Sequence, residues 1–389
     1  MHFPRIDLHR CPRAFAVALV LLALSPIRTV AADPYPIDVL LPLTGTAAFA
    51  GESQQQVLRL YEALINRTGG IHGRPLQFDF HDDQSNPVVA VQIVNELLPK
   101  KPTVILGPSV AATCSAISAL LAKGPGPVNY CFSPVAVPPP GGYVFAATAP
   151  ALSLQANDVA HMRNLGFHRA ALVVSTDASG TQNAGIFEAL FARTENASMK
   201  LVAEERFSPT ALSAAAEISK VKAADPDVIL MYANGTAFLT GLRELKNAGI
   251  DVPVTTNPFN GDGALLLANR NILPKTLFIQ GLPYQGKNPP QALRETGAEY
   301  LSVFRDAGIK SASVIQAYCW DPTKITIAAL RALPPDATGT QLHDYIEKLH
   351  DFAGLFGTYD FRTGDNYGLN GADSPFVKWD VNRSEWVPY

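Results

Sequence analysis

The sequence predicts an α/β protein built on parallel sheets, and three observations carry that reading. Short apolar runs bounded by Gly, Pro and Asp alternate with segments whose apolar residues recur at helical spacing, the pattern of strand–helix–strand units. The alternation runs to about residue 148 and then starts again, so two similar α/β halves stand in tandem. The chain has 389 residues, enough for two domains of roughly 100–200 residues each.

The first unit sets the pattern. Val39-Leu40-Leu41 is an apolar strand ending at Pro42 and Gly45, followed by small residues from Thr44 to Gly51. Val57, Leu60, Tyr61, Leu64 and Ile65 then share one helix face, and Thr68-Gly69-Gly70 stops the helix. Gly73-Arg74-Pro75 leads into a strand over 76–80. Parallel sheets bind ligands beyond the carboxyl ends of their strands, and the loop over 44–51 lies at such an end. Pro87 starts a helix with Val91, Val94, Leu97 and Leu98 on its apolar face. Residues 103–107 read as a buried strand, 109–123 as its helix, and Gly124-Pro125-Gly126-Pro127 as the stop. Strands are expected over 128–132 and 143–148.

The second set reads as helix 153–165, strand 170–175, helix 181–193, strand 200–207, helix 211–223, strand 227–233, helix 236–248, and strands 252–256 and 276–281. Helices follow over 292–307, 313–332 and 341–349, then a tail of short strands and turns from 358 on. No short repeat or low-complexity linker interrupts the chain.

The N-terminus is of another kind. Arg5, Arg10 and Arg13 precede an apolar run from Ala14 to Leu24, and Val30-Ala31-Ala32 offers small residues for cleavage. This reads as a secretory signal peptide over 1–32, cleaved near Ala32, with export to the periplasm. The run is short for a membrane span, which takes about 20 residues. No cysteine follows it to take a lipid. Without the leader, which carries four Arg and Asp7, the 31 basic and 34 acidic side chains become 27 and 33, a net charge of −6. No basic patch stands out, which argues against nucleic acid as a partner. Cys114, Cys131 and Cys319 remain, an odd number, so at least one is free. Cys114 and Cys131 fall on a helix and the strand after it; a disulfide or buried thiols both fit.

Enzyme signatures are missing: there is no phosphate-binding G-x-x-x-x-G-K-[ST], no H-E-x-x-H, no C-x-x-C and no G-x-S-x-G. Gly261-Asp262-Gly263 marks a turn or helix start. His343 and His350 share a helix face without a third ligand, and Asp82-Asp83 ends a strand, so neither a metal nor a catalytic site is expected. Binding chemistry is better supported. Helix starts preceded by small residues, as at Ser109-Val110-Ala111-Ala112-Thr113 and at Val135-Ala136-Val137, present backbone N–H groups to an anion.

Eight landmarks in order then carry a resemblance. Leu41-Pro42-Leu43-Thr44-Gly45 and Asn66…Gly69-Gly70-Ile71…Gly73 come first, followed by Asp82-Asp83…Asn86-Pro87 and Val104-Ile105-Leu106-Gly107. Ser133-Pro134, Asp177…Gly180, Asp225-Pro226-Asp227-Val228 and Phe356-Gly357-Thr358-Tyr359-Asp360-Phe361 complete the set. The chain resembles the leucine/isoleucine/valine-type periplasmic binding proteins of ABC transporters over nearly all its length after the leader. The resemblance implies two Rossmann-like lobes, three interlobe crossings near Thr148, Tyr284 and Thr358, and a ligand cleft between the lobes. The lobes would be 33–148 with 284–357, and 149–283 with 358–389. It implies no enzyme activity, no cofactor, an ABC permease as membrane partner, and a monomer.

Carried over residue by residue, the resemblance places ligand contacts at Phe49, Ala50, Ser109, Ala111, Ala112, Val135, Ala136, Val137, Ser179, Asn234, Asn257 and Phe259. Relatives that bind leucine have a hydroxyl where this chain has Ala111 and a threonine where it has Val137; Ser109 and Thr113 lie nearby. Tyrosines are replaced by Ser179 and Asn234. The acidic partner of a ligand ammonium is missing from Asn257-Pro258-Phe259-Asn260, with Asp262 the nearest carboxylate, and Phe49 stands in for an aromatic wall beside Ala50. The expected ligand is therefore an aromatic or keto carboxylic acid rather than a branched-chain amino acid. A true branched-chain amino acid binder and a ligand sensor of the same fold are the competing readings.

Overall fold

Five parallel strands open the fold: β1 (Tyr35–Leu41), β2 (Leu76–Asp82), β3 (Val104–Leu106), β4 (Val128–Cys131) and β5 (Val144–Ala146), in the order β2-β1-β3-β4-β5. They are seen in a computed structural model that describes residues 1–2, 32–121, 124–309 and 312–389. The leader expected over 1–32 lies, except for its ends, outside the described residues. Strands β3 to β5 are buried along their whole length, which is why they read as continuous apolar runs rather than alternating ones.

Helices α1 (Ala48–Arg67), α2 (Pro87–Leu97) and α3 (Ala111–Leu121) connect these strands. Asn86 caps α2 by accepting the Val88 N–H at 2.9 Å, with Pro87 in the first turn. Val57, Tyr61 and Ile65 of α1 are buried as the spacing predicts, and Leu60 and Leu64 flank them half-buried. After α4 (Ala151–Asn164) the same plan is repeated. Strands β6 (Arg169–Ser175), β7 (Lys200–Phe207), β8 (Val228–Tyr232), β9 (Val254–Thr255) and β10 (Leu277–Gln280) stand in the order β7-β6-β8-β9-β10, connected through α5 (Ala178–Phe191), α6 (Ala215–Ala223), α7 (Thr236–Asn247) and α8 (Gly263–Ala268).

Helix α6 starts four residues later than expected, because Ser213 Oγ accepts the Ala215 N–H at 3.2 Å and so forms the turn that begins it. Helix α8 lies where the sequence marks only a turn or helix start; six residues are too few for a periodic signal, and Asp262 caps it through the Leu265 N–H at 2.8 Å.

Helices α9 (Gln291–Asp306), α10 (Val314–Ala332) and α11 (Gly339–Ile346) return to the first sheet. Trp320 of α10 lies edge-on to Tyr61 at 4.8 Å and to Tyr300 at 5.1 Å, making the centre of the largest core. A two-stranded ribbon, β11 (Phe352–Ala353) with β12 (Thr358–Tyr359), follows. The last strands, β13 (Phe376–Asp380) and β14 (Glu385–Pro388), extend the second sheet antiparallel from β10.

The return to the second sheet comes later than the expected point near Thr358. Tyr359, Phe361 and Leu369 still pack in the core of the first sheet, and Asn366 accepts the Ala146 N–H on its backbone oxygen at 3.1 Å. The buried Asp321 carboxylate holds this segment, accepting from Leu355 N (2.8 Å), Phe356 N (3.1 Å) and Tyr359 Oη (3.1 Å). The chain passes over between Leu369 and Phe376. Cys114 and Cys131 form a disulfide with Cα atoms 6.0 Å apart, while Cys319 is free and buried. No helix among the described residues is long and apolar enough to cross a membrane.

Candidate functional site

In both sheets the strand order reverses beside the first strand, at β1/β3 and at β6/β8. Helices following such neighbouring strands leave in opposite directions, and the crevice between them is where open α/β sheets take ligands. Here the starts of α1, α3, α5 and α7 converge on one cavity of about 100 Å³ through Thr46-Ala47, Val110-Ala111-Ala112, Asp177-Ala178-Ser179 and Asn234 with Thr236. Each start carries unpaired N–H groups and the positive end of a helix dipole, of the order of half a charge.

Local chemistry holds each start in place. Thr44 donates from its backbone N–H (3.1 Å) and its hydroxyl (2.7 Å) to Asp82, and Ser85 Oγ accepts the Ala47 N–H at 3.1 Å. Gly51 is required in the first turn of α1, since a Cβ there would stand 2.2 Å from Pro42 O. Asp177 caps α5, its Oδ1 accepting Gly180 N at 2.8 Å and Ser175 Oγ at 3.0 Å. Ser109 Oγ is spent on Gln54, itself tied to Ile315 O at 3.1 Å.

The walls are aromatic and amide. Phe49 meets Phe259 edge-on at 5.7 Å. An amide relay closes the other side: Phe259 N donates to Asn257 Oδ1 (2.9 Å), Asn257 Nδ2 to Asn234 Oδ1 (2.8 Å), and Asn234 Nδ2 to Ser179 Oγ (3.1 Å).

Pro134, Val135, Ser179 and Asn234 also border a second, deeper cavity of about 40 Å³, with Gln155, Asp158, Tyr232, Asn257, Gln280 and Tyr318 further in. Tyr232 Oη donates to Asp158 Oδ2. Burial pushes the Asp158 carboxyl up to about 7, against the Tyr232 hydrogen bond, which lowers it. No lysine, arginine or histidine lines either cavity among the described residues. A wider groove of about 830 Å³ around Tyr35, Lys100 and Lys101 lies at the opposite, amino ends of the strands, where sheets of this kind do not bind their ligands.

The profile of the periplasmic binding proteins matches residues 34–383. The chain belongs to the periplasmic binding protein family. No curated protein sequence matches it. Among solved structures it is similar to an extracellular ligand-binding receptor from Rhodopseudomonas palustris, at 20% identity with a TM-score of 0.79, over 92% of this chain and 99% of that one. A type 1 periplasmic binding protein from Bordetella pertussis Tohama I gives 19% and 0.77, over 92% and 100%. The branched-chain amino acid transporter substrate-binding protein LivJ from Streptococcus pneumoniae, solved with isoleucine, gives 18% and 0.74, over 91% and 98%.

Within this periplasmic binding protein fold, the structure sorts the residues singled out from sequence. It brings Phe49, Ser109, Ala111, Ala112, Val135, Ser179, Asn234 and Phe259 to the main cavity, and Asn257 to the deeper one. Three stand elsewhere. Ala50 is fully buried in the core beneath α1 and lines neither cavity. Ala136 packs beside the disulfide, its carbonyl accepting Tyr367 Oη at 3.0 Å. Val137 is 71% exposed and lines neither cavity, standing outward between the buried Ala136 and Pro138.

The nearby substitutes are also committed elsewhere. Thr113 Oγ1 donates to Val110 O at 2.9 Å, and Asp262 caps α8. Sequence reading missed Thr46, Asp177 and Thr236 as lining residues, although Asp177…Gly180 was among the landmarks. It had no signal for Gln155, Asp158 and Gln280, since a polar residue on a helix or strand ordinarily reads as a solvated face. Away from the site, His343 does have acidic neighbours, Asp344 and Glu347, with ligand atoms within 4.8 Å of one another. Its ring is stacked on Tyr143 at 4.4 Å, and the group has no link to the cavities.

Proposed function

We propose that this protein is the periplasmic substrate-binding component of an ABC importer, capturing a small amphipathic solute and handing it to the permease. The favoured solute is an aromatic or keto carboxylic acid. The two lobes, one around each sheet, close over it by hinge motion of the connecting segments, and no reaction is catalysed.

The observation that carries this reading is the convergence of four helix starts, two from each sheet, on a cavity walled by Phe49 and Phe259 and, among the described residues, lined by no basic side chain. Backbone N–H groups and helix dipoles hold a carboxylate without a counter-ion side chain. The two adjoining cavities together are on the scale of the roughly 150 Å³ void that admits benzene in a protein core. Burying a ring of about 150 Å² contributes on the order of 4 kcal/mol.

A second reading, an α-amino acid ligand, is favoured by Asp177, an acidic residue that lines the main cavity. Calorimetry with benzoate, phenylpyruvate, leucine and valine separates the two. Binding of an acid with little response to leucine or valine is expected. Submicromolar leucine or valine affinity with no response to the acids overturns the reading.

A further inference from the structure

We propose that the deeper cavity is a second recognition point of the same site. It takes a hydrogen-bond-donating group, a hydroxyl or an ammonium, carried by the solute at the end remote from its carboxylate. The inference rests on the reading of the solute as a carboxylic acid and narrows it to acids bearing such a distal donor.

Three side chains that line this cavity each hold a buried acceptor oxygen with no partner among the protein groups: Gln155 Oε1, Asp158 Oδ1 and Gln280 Oε1. Their residues are 3%, 2% and 4% exposed, so bulk solvent does not satisfy them. The remaining atoms of the same side chains are committed, which fixes how each is turned. Gln155 Nε2 donates to Asn183 Oδ1, Gln280 Nε2 to Leu154 O, and Asp158 Oδ2 receives Tyr232 Oη. One N–H of each amide and the tyrosine hydroxyl are thus committed, and the three oxygens receive no hydrogen bond from the protein. Buried acceptors are almost always paired, and three around one cavity describe the complement of a donor-rich group.

Two features tie the cavity to solute binding rather than to a single structural water. Its volume of about 40 Å³ exceeds the roughly 10–15 Å³ that one water requires. It also shares Pro134, Val135, Ser179 and Asn234 with the main cavity, so one molecule can have its carboxylate at the helix starts and its far end here. Ser179 stands at the junction. It accepts from Asn234, and its own proton is available to the solute. Gln155 and Asp158 come from α4 and Gln280 from β10, brought together across the second sheet.

The test is calorimetry of the mature chain with benzoate, 4-hydroxybenzoate and 4-(aminomethyl)benzoate, repeated on Asp158→Asn and Gln280→Met. What is read is the ratio of each analogue's affinity to that of benzoate in the same variant. At least one analogue is expected to bind ten-fold or more tighter than benzoate, with the ratio falling toward one in both variants. Preference for the hydroxyl analogue assigns a hydroxyl-bearing solute, and preference for the aminomethyl analogue an ammonium-bearing one. Analogues no tighter than benzoate, or ratios unmoved in both variants, overturn the subsite while leaving the carboxylic acid reading intact. Failure of all three acids and of phenylpyruvate to bind the unaltered chain overturns the carboxylic acid reading, and the subsite with it.

Discussion

Phe49 carries the apolar wall of the main cavity, and its position is set by a residue nearly two hundred places away. Its Cε1 lies 2.8 Å from where a Cβ on Gly235 would stand, and Gly235 has φ +57°, so any side chain there meets the ring and strains the backbone. Gly235→Ala is therefore expected to weaken solute binding at least ten-fold by calorimetry, with Phe49 displaced. Phe49→Ala removes the ring and about 1.5–3 kcal/mol of burial, a loss of roughly ten- to a hundred-fold. Val137 supplies the opposite expectation. Exposed as it is, Val137→Thr is expected to change stability by less than about 0.5 kcal/mol and to leave affinity unaltered. A rise in leucine affinity on that substitution contradicts the outward placement. Ser179→Ala leaves Asn234 Nδ2 without its acceptor, which costs about 1–3 kcal/mol if it stays buried. Its effect is expected in both melting temperature and affinity.

At the scale of elements, the disulfide pins the start of the site. Cys114 lies in the first turn of α3, whose first residues line the main cavity, and Cys131 ends β4, just before Ser133 and Pro134 on the cavity wall. The bond closes a loop over a sequence separation of 17 residues, which restricts the unfolded chain by about 3 kcal/mol. The double substitution Cys114→Ala with Cys131→Ala is expected to lower the melting temperature measurably and to weaken binding, because α3 loses one of its ties to β4. Dithiothreitol applied to the folded protein should reproduce the shift. Among the described residues the free thiol is Cys319, buried in α10; burial raises its pKa, so it is expected to react with a thiol reagent only on unfolding.

At the scale of the molecule, three buried carboxyls set a pH dependence. Burial raises Asp158 to about 7 and Asp83 and Asp321 to about 6, against roughly 3.9 in an unfolded chain. Between those values the folded state holds more protons than the unfolded one, so stability is greatest below the window and is lost as pH rises from about 4 to 7. Chemical denaturation is expected to show a higher midpoint at pH 5 than at pH 8, with a smaller difference in Asp158→Asn. An unchanged pH slope in that variant removes Asp158 from the account. Closure belongs to this scale too. The contact of Phe49 with Phe259 joins the loops of the two sheets, and a bound solute is expected to favour that contact. Small-angle scattering should give a smaller radius of gyration at saturation with solute than without; identical profiles argue against a hinged cleft.

The sequence by itself determined the alternation of strands and helices, the tandem halves and the small-residue helix starts that became the site. These are local matters: apolar spacing, a capping Asn86 or Asp177, a Gly or Pro at a stop. Most of the wall residues were legible because they sit at those starts. The tertiary structure alone decided the rest. It turned Val137 to solvent while Val135 faces the cavity, kept the tail with the first sheet as far as Leu369, and joined Cys114 to Cys131. It also gathered Gln155, Asp158 and Gln280 around one cavity. The physical reason is range. Which way a loop residue points, and whether a polar side chain on a helix meets water or a buried cavity, depends on packing against segments a hundred or more residues away, and that information is absent from the periodicity of any one segment.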